Sequence, residues 1–137
     1  MKYPKTYSYF AVFAYYKNDD GTDAGISVTF PDLPGCVSHG DTEEQAIKNA
    51  KEVLALHMYG IEEDGDEIPK PSSLRSIKFE RDEYAVLIEA YMPVFREKIR
   101  NSYVKKTLSI PYWMNAEAEA KGINFSGVLQ EALRNYL

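Results

Sequence analysis

The chain has 137 residues, 45% of them hydrophobic, enough for one domain or one domain with a small appendage. A single cysteine, Cys36, excludes an internal disulfide. No apolar run resembles a secretory signal or reaches membrane-spanning length, so a soluble cytoplasmic protein is expected. The net charge of −5 is uneven: residues 1–92 hold 9 Lys/Arg against 17 Asp/Glu, and residues 93–137 hold 7 against 4, which reads as an acidic body with a basic tail.

Tyr7 to Tyr16, rich in aromatic and β-branched residues, is expected to form a central strand. Asn18-Asp19-Asp20-Gly21 is a turn signal, and Ile26 to Phe30 alternates as the second strand of a hairpin, with Ile26, Val28 and Phe30 facing inward. Cys36-Val37-Ser38 is long enough for a short third strand. Two overlapping capping boxes, Asp41 with Glu44 and Thr42 with Gln45, open a helix carrying Ala46, Ile47, Ala50, Val53, Leu54 and Met58 on one side. Gly60 is its expected stop. Glu62 to Glu67 then reads as a solvated acidic loop, and Ile68 to Ser73 as an extended connector. Ser76 to Phe79 suggests a short strand or edge, and the apolar run Ala85 to Tyr91 a buried strand ended by Pro93. Val94 to Asn101 suggests a short basic helix. The order argues for an α+β fold: a small, mainly antiparallel sheet with one main helix packed on it.

Beyond Tyr103 the pattern changes. Lys105 to Ile110 reads as a strand stopped by Pro111, which then serves as a first-turn residue for a helix over about Tyr112 to Lys121. Gly122 closes that helix, and a second starts at Asn124 or Ser126, its apolar residues forming one stripe. One copy of this module is incomplete, because its strand has two open edges and its helices enclose no core. The grammar resembles the ribbon-helix-helix family of DNA-binding proteins, whose dimers place a two-stranded ribbon in the major groove. Period two sets Lys105, Thr107 and Ser109 on one strand face, with donors and acceptors that suit base edges, and Leu108 and Ile110 on the other. Lys106 falls on the inward parity, departing from the usual apolar residue, and is read as a phosphate contact. Amides around Asn124, Phe125 and Ser126 could hold a phosphate. Leu108, Ile110, Trp113, Val128, Leu129, Ala132, Leu133 and Tyr136 are the expected dimer core.

The body, from Phe30-Pro31-Asp32-Leu33-Pro34-Gly35-Cys36 through the helix and acidic glycine loop to Ile68-Pro69-Lys70-Pro71-Ser72, resembles the HicB antitoxin family. That resemblance implies a reduced RNase H-like fold without nuclease activity over residues 1–100 and a C-terminal DNA-binding module, either helix-turn-helix or ribbon-helix-helix; the grammar of the tail selects a ribbon-helix-helix domain over 101–137. It further implies binding of a basic HicA toxin, an mRNA-cleaving ribonuclease, and autorepression at operator DNA. A homodimer through the C-terminal domain is expected, or a tetramer if the body adds an interface. The toxin-contacting residues are unassigned.

Catalysis finds little support. Asp32, Glu52 and Glu89 sit on three elements without a specific spacing, so a metal-dependent nuclease is not expected. His39 and His57 are isolated, and Cys36, without an identifiable base, reads as a small buried hydrophobe. No metal, cofactor or catalytic residue is implied. The competing reading is a stand-alone, for example prophage-borne, DNA-binding regulator without a toxin partner.

Overall fold

The computed structural model describes residues 3–137, so the first two residues of the expected N-terminal domain lie outside the described residues. Contacts divide the chain into two units, one ending at Ser102 and the other spanning Tyr103–Leu137.

The first unit is built on Thr6–Lys17 (β1), where Tyr7, Tyr9, Ala11 and Phe13 are buried on one face as period two requires. Asp23–Thr29 (β2), Val37–Gly40 (β3) and Glu83–Tyr91 (β4) complete an antiparallel sheet in the order β3-β2-β1-β4. The expected inward face of the hairpin holds, with Ile26, Val28 and Phe30 buried. Glu43–Asp64 (α1) covers this face with Ala46, Ala50, Leu54, Ala55 and Met58. Each large apolar side chain buried there contributes about 1.5–3 kcal/mol. A Cβ on Gly40 would lie 2.4 Å from the amide nitrogen of Ala46, so glycine lets β3 pass directly beneath the start of the helix.

Of the two capping boxes, the chain uses the second. Thr42 caps α1 by accepting from the Gln45 amide at 3.1 Å, and the Gln45 side chain reaches back to the Asp41 amide at 2.9 Å. The expected stop at Gly60 is incorrect. A helical glycine costs only about 1 kcal/mol relative to alanine, and the helix continues to Asp64, with Glu62 buried among tertiary partners. Gly65, at φ +69°, ends it instead, its amide bonding back to Glu62. The acidic stretch is therefore half helix, not a solvated loop.

Two further expectations change. The stretch 76–79 is not a strand; Leu74–Ser76 forms a 3₁₀ turn, and residues 77–80 have no regular structure. β4 lies at the sheet's edge and is not buried on both faces: Ile88 and Ala90 are buried on one, and Leu87 on the other is 51% exposed. An apolar run does not distinguish an edge strand from a central one. Met92–Arg100 (α2) follows at once, with Pro93 in its first turn, where its missing donor is harmless.

In the second unit, Tyr112–Ala120 (α3) and Phe125–Tyr136 (α4) match the expected helix pair. Pro111 precedes α3 as its cap residue, its carbonyl accepting from Met114 and Asn115, so it is not a first-turn residue. Gly122 takes φ +65° and completes a paired C-cap, with its amide bonding Glu119 and the Ile123 amide bonding Ala118. The expected strand at 105–110 is absent from the single chain. Strand character requires a ladder, and β1 to β4 pair only among themselves.

Candidate functional site

Every residue expected to touch DNA falls in the second unit. Lys105, Lys106, Thr107 and Ser109 are all exposed on one segment without regular structure. Asn124 is committed locally, its side chain accepting from the Gly127 amide at 3.2 Å as the N-cap of α4. Ser126 stands exposed in the first turn beside it.

The apolar residues of this unit have no interior. Leu108, Trp113, Val128 and Leu133 are 63%, 60%, 55% and 49% exposed, and Ile110, Ala132 and Tyr136 are exposed as well. Leu129 is half-buried, and no residue of 103–137 is buried. Extended exposed apolar surface is a feature of interaction sites in general.

The charge reading needs correction. Taken from Tyr103, the unit holds four Lys/Arg (Lys105, Lys106, Lys121 and Arg134) against Glu117, Glu119 and Glu131. Arg96, Lys98 and Arg100 belong to α2 and hence to the first unit. The tail is therefore nearly neutral, its positive charge concentrated at the adjacent Lys105 and Lys106.

Among the described residues of the first unit, sequence reasoning missed the one buried charged group, Glu62. Glu62 accepts from Arg96 Nε at 3.0 Å, from Arg96 Nη2 at 2.6 Å and from the Tyr7 hydroxyl at 2.6 Å. Burial alone would raise this carboxyl, but the hydrogen bonds from Arg96 and Tyr7, with the guanidinium charge, outweigh it and hold it below its ordinary range. Burial, reinforced by the Glu62 carboxylate, pushes the Tyr7 phenol up. Arg96 Nη2 also donates to the Pro4 carbonyl at 2.8 Å, so one side chain joins α2 to α1 and to the start of β1. The only sequence signal was a glutamate one turn before Gly65, which is too weak to name its partner.

The motif residues meet structurally. Asp32 accepts from the Ser72 amide at 2.8 Å and the Ser72 hydroxyl at 2.5 Å, and the Tyr9 hydroxyl donates to the Pro69 carbonyl at 2.5 Å. The connector is thus clasped to the turn after β2. Among the described residues no three His, Cys, Asp or Glu side chains converge as metal ligands. Cys36 is buried, its thiol pushed up to about 11 by burial. No helix of the described residues is long and apolar enough to cross a membrane.

A family model described as HicB-like antitoxin of bacterial toxin–antitoxin system matches residues 13–132. The chain is 33% identical over 87 residues to an uncharacterised 14.9 kDa protein from the rep-hol intergenic region of Haemophilus phage HP1, covering 64% of this chain and 65% of that one. It is 39% identical over 51 residues to antitoxin HicB 2 of Photorhabdus laumondii, covering 37% of each. The chain spans less than two thirds of the length of either relative. Among solved structures it is similar to a chain of a toxin–antitoxin complex from Streptococcus pneumoniae, with 25% identity and a TM-score of 0.60 over 96% of this chain and 99% of that one.

Proposed function

The chain belongs to the HicB-like antitoxin family of bacterial toxin–antitoxin systems, and from that membership we propose that it is an antitoxin working through two separate binding surfaces. The acidic body neutralises a HicA-type mRNA-cleaving toxin by masking it. Residues 103–137 pair with a second copy as a ribbon-helix-helix dimer and repress the operon at its operator. Both activities are binding, without bond chemistry, in the cytoplasm.

The observation that carries this reading is the unit of 35 residues with no buried side chain, joined to a body with a core of its own. Pairing with a second copy would supply the missing strand partner and cover Leu108, Ile110, Trp113, Val128 and Leu133 about a two-fold axis. In that dimer Lys105, Thr107 and Ser109 would face bases in the major groove, Lys106 a phosphate, and Asn124 and Ser126 the backbone at the start of α4. The body, with 12 Lys/Arg against 18 Asp/Glu up to Ser102, suits a basic partner electrostatically.

Changing Lys105 and Thr107 together to alanine tests the division of labour. Operator binding in a mobility-shift assay should be lost, while growth rescue of cells expressing the adjacent toxin gene is retained. Equal loss of both activities rejects it. A second reading, a DNA-binding regulator without a toxin partner, is favoured by the likeness to the phage protein. It predicts operator binding intact and no growth rescue by any neighbouring gene's product.

A further inference from the structure

We infer that the basic cavity where the residues before β1 meet α2 is a site for a nucleoside phosphate, with the phosphate held by Lys5, Arg96 and Arg100 and the base laid against Tyr91. The inference stands on body residues alone and uses neither the toxin nor the DNA reading.

Two ties bring these side chains together. The Met92 amide donates to the Lys5 carbonyl at 2.7 Å, and Arg96 Nη2 donates to the Pro4 carbonyl at 2.8 Å, so the residues before β1 lie against α2. On α2 itself Arg96 and Arg100 stand at i and i+4 and share a face. Lys5, Arg96 and Arg100 thus line one open cavity of about 430 Å³, together with Tyr91, Pro93 and Glu97. Small-ligand sites occupy about 300–1,000 Å³, so the volume suits a nucleotide.

The charge of this cavity runs against its surroundings. Up to Ser102 the body holds 12 Lys/Arg against 18 Asp/Glu, yet here the cations outnumber the single carboxylate, Glu97. Among the described residues Arg96 and Glu62 form the one ion pair, so Lys5 and Arg100 are not paired with a carboxylate. Arg96 is fixed through Nε and Nη2, and those bonds leave both N–H groups of Nη1 unspent. A donor already held in place loses little freedom when a ligand arrives.

The lining selects the ligand class. Guanidinium forks and an ammonium match the oxygens of a phosphate. Tyr91, 58% exposed, adds an aromatic surface beside the cations, and stacking on such a ring holds a base without reading its identity. Glu97 lies on the same helix and opposes an anion, which keeps the affinity moderate. A free nucleotide and a nucleotide of single-stranded RNA offer this same chemistry.

Equilibrium binding to the full chain tests the site, with ATP and a short single-stranded RNA as separate probes and adenosine, which lacks the phosphate, as control. Lys5 and Arg100 are exposed, so their replacement should leave the fold intact. Lys5→Ala and Arg100→Ala should each weaken binding about tenfold, as the loss of one hydrogen bond between charged groups does. Glu97→Gln should strengthen it. Lys98→Ala, on α2 but outside the cavity lining, should leave it unchanged, as should Lys105→Ala with Lys106→Ala in the C-terminal unit. Binding of ATP supports a free nucleotide as the source, and binding of the RNA alone supports a nucleic acid. The inference is overturned if neither probe binds, or if adenosine binds as tightly as ATP. It is overturned equally if Lys98→Ala weakens binding as much as Arg100→Ala, which would mean diffuse attraction to α2, or if only the Lys105 and Lys106 changes abolish it.

Discussion

Arg96 and Glu62 join through two parallel hydrogen bonds, at 3.0 and 2.6 Å, on a carboxylate that also receives the Tyr7 hydroxyl. Glu62 lies near the end of α1 and Arg96 in the middle of α2, so the pair fastens the last helix of the body to the helix that covers the sheet. Removing one member leaves the other desolvated without its counter-charge, which costs about 3 kcal/mol or more. Glu62→Ala should lower the melting temperature by roughly 12 °C or more, at about 4 °C per kcal/mol for a domain of this size. Glu62→Leu with Arg96→Met should recover much of that loss, since an apolar pair of similar volume strands no charge.

The same carboxylate gives a pH dependence. Its folded-state value lies below its unfolded one, so its contribution is fully present above the unfolded carboxylate pKa of about 4.3. That contribution disappears as pH falls through the lower folded value. Urea midpoints should decline below about pH 4.5 in the parent chain, and less steeply in Glu62→Gln. Identical slopes in the two proteins would show that other carboxylates dominate.

Much of the body was legible because its signals are local. The aromatic run of β1, the alternation of β2 and the box at Thr42 and Gln45 each specify one element without distant help. Helices α3 and α4 were legible through Gly122 and Asn124, which act within one turn. Gly60 misled because its cost is small beside the tertiary contacts that extend α1. Arg96 and Glu62, 34 residues apart, meet through the packing of two helices, and no spacing in the chain announces that. The edge position of β4 depends on which strands pair, information that its apolar run does not carry. The expected basic tail dissolved once α2 proved to pack with the body. The candidate DNA residues could be named by parity, but their ribbon requires a second chain.

Gly60 and Gly40 make opposite predictions. A Cβ at Gly60 meets nothing within 4 Å in mid-helix, so Gly60→Ala should stabilise by up to about 1 kcal/mol. A Cβ at Gly40 would overlap the backbone of Gln45 and Ala46 at 2.4–2.8 Å, forcing β3 and the start of α1 apart. Gly40→Ala should destabilise by about 1–3 kcal/mol, as overpacking does. Chemical denaturation of both variants checks the sign.

Asp32 and Ser72 test the clasp. Asp32→Ala removes the acceptor for both the amide and the hydroxyl of Ser72. The expected cost is about 1.5–3 kcal/mol for hydrogen bonds to a charged group. Ser72→Ala keeps the amide bond and should cost less. Hydrogen exchange at the Ser72 amide should accelerate in Asp32→Ala and change little in Ser72→Ala. Equal acceleration in both would assign the ordering of the connector to the hydroxyl instead.

The C-terminal unit should owe its stability to concentration. With no side chain of 103–137 buried in one chain, its helices have only capping and local propensity to hold them, and isolated helices of nine and twelve residues are marginal in water. Pairing would bury Leu108, Ile110, Trp113, Val128 and Leu133, so folding and association become one equilibrium whose midpoint rises with protein concentration. The body has a core of its own and should melt independently of the C-terminal unit. Trp113, the chain's single tryptophan, reports on the C-terminal unit selectively. Its fluorescence transition should move upward over a hundredfold increase in concentration, while the far-ultraviolet transition of the body stays in place. Leu133→Lys should lower the tryptophan transition and leave that of the body unchanged. A tryptophan transition that ignored concentration would mean that the helix pair is stable without a second copy.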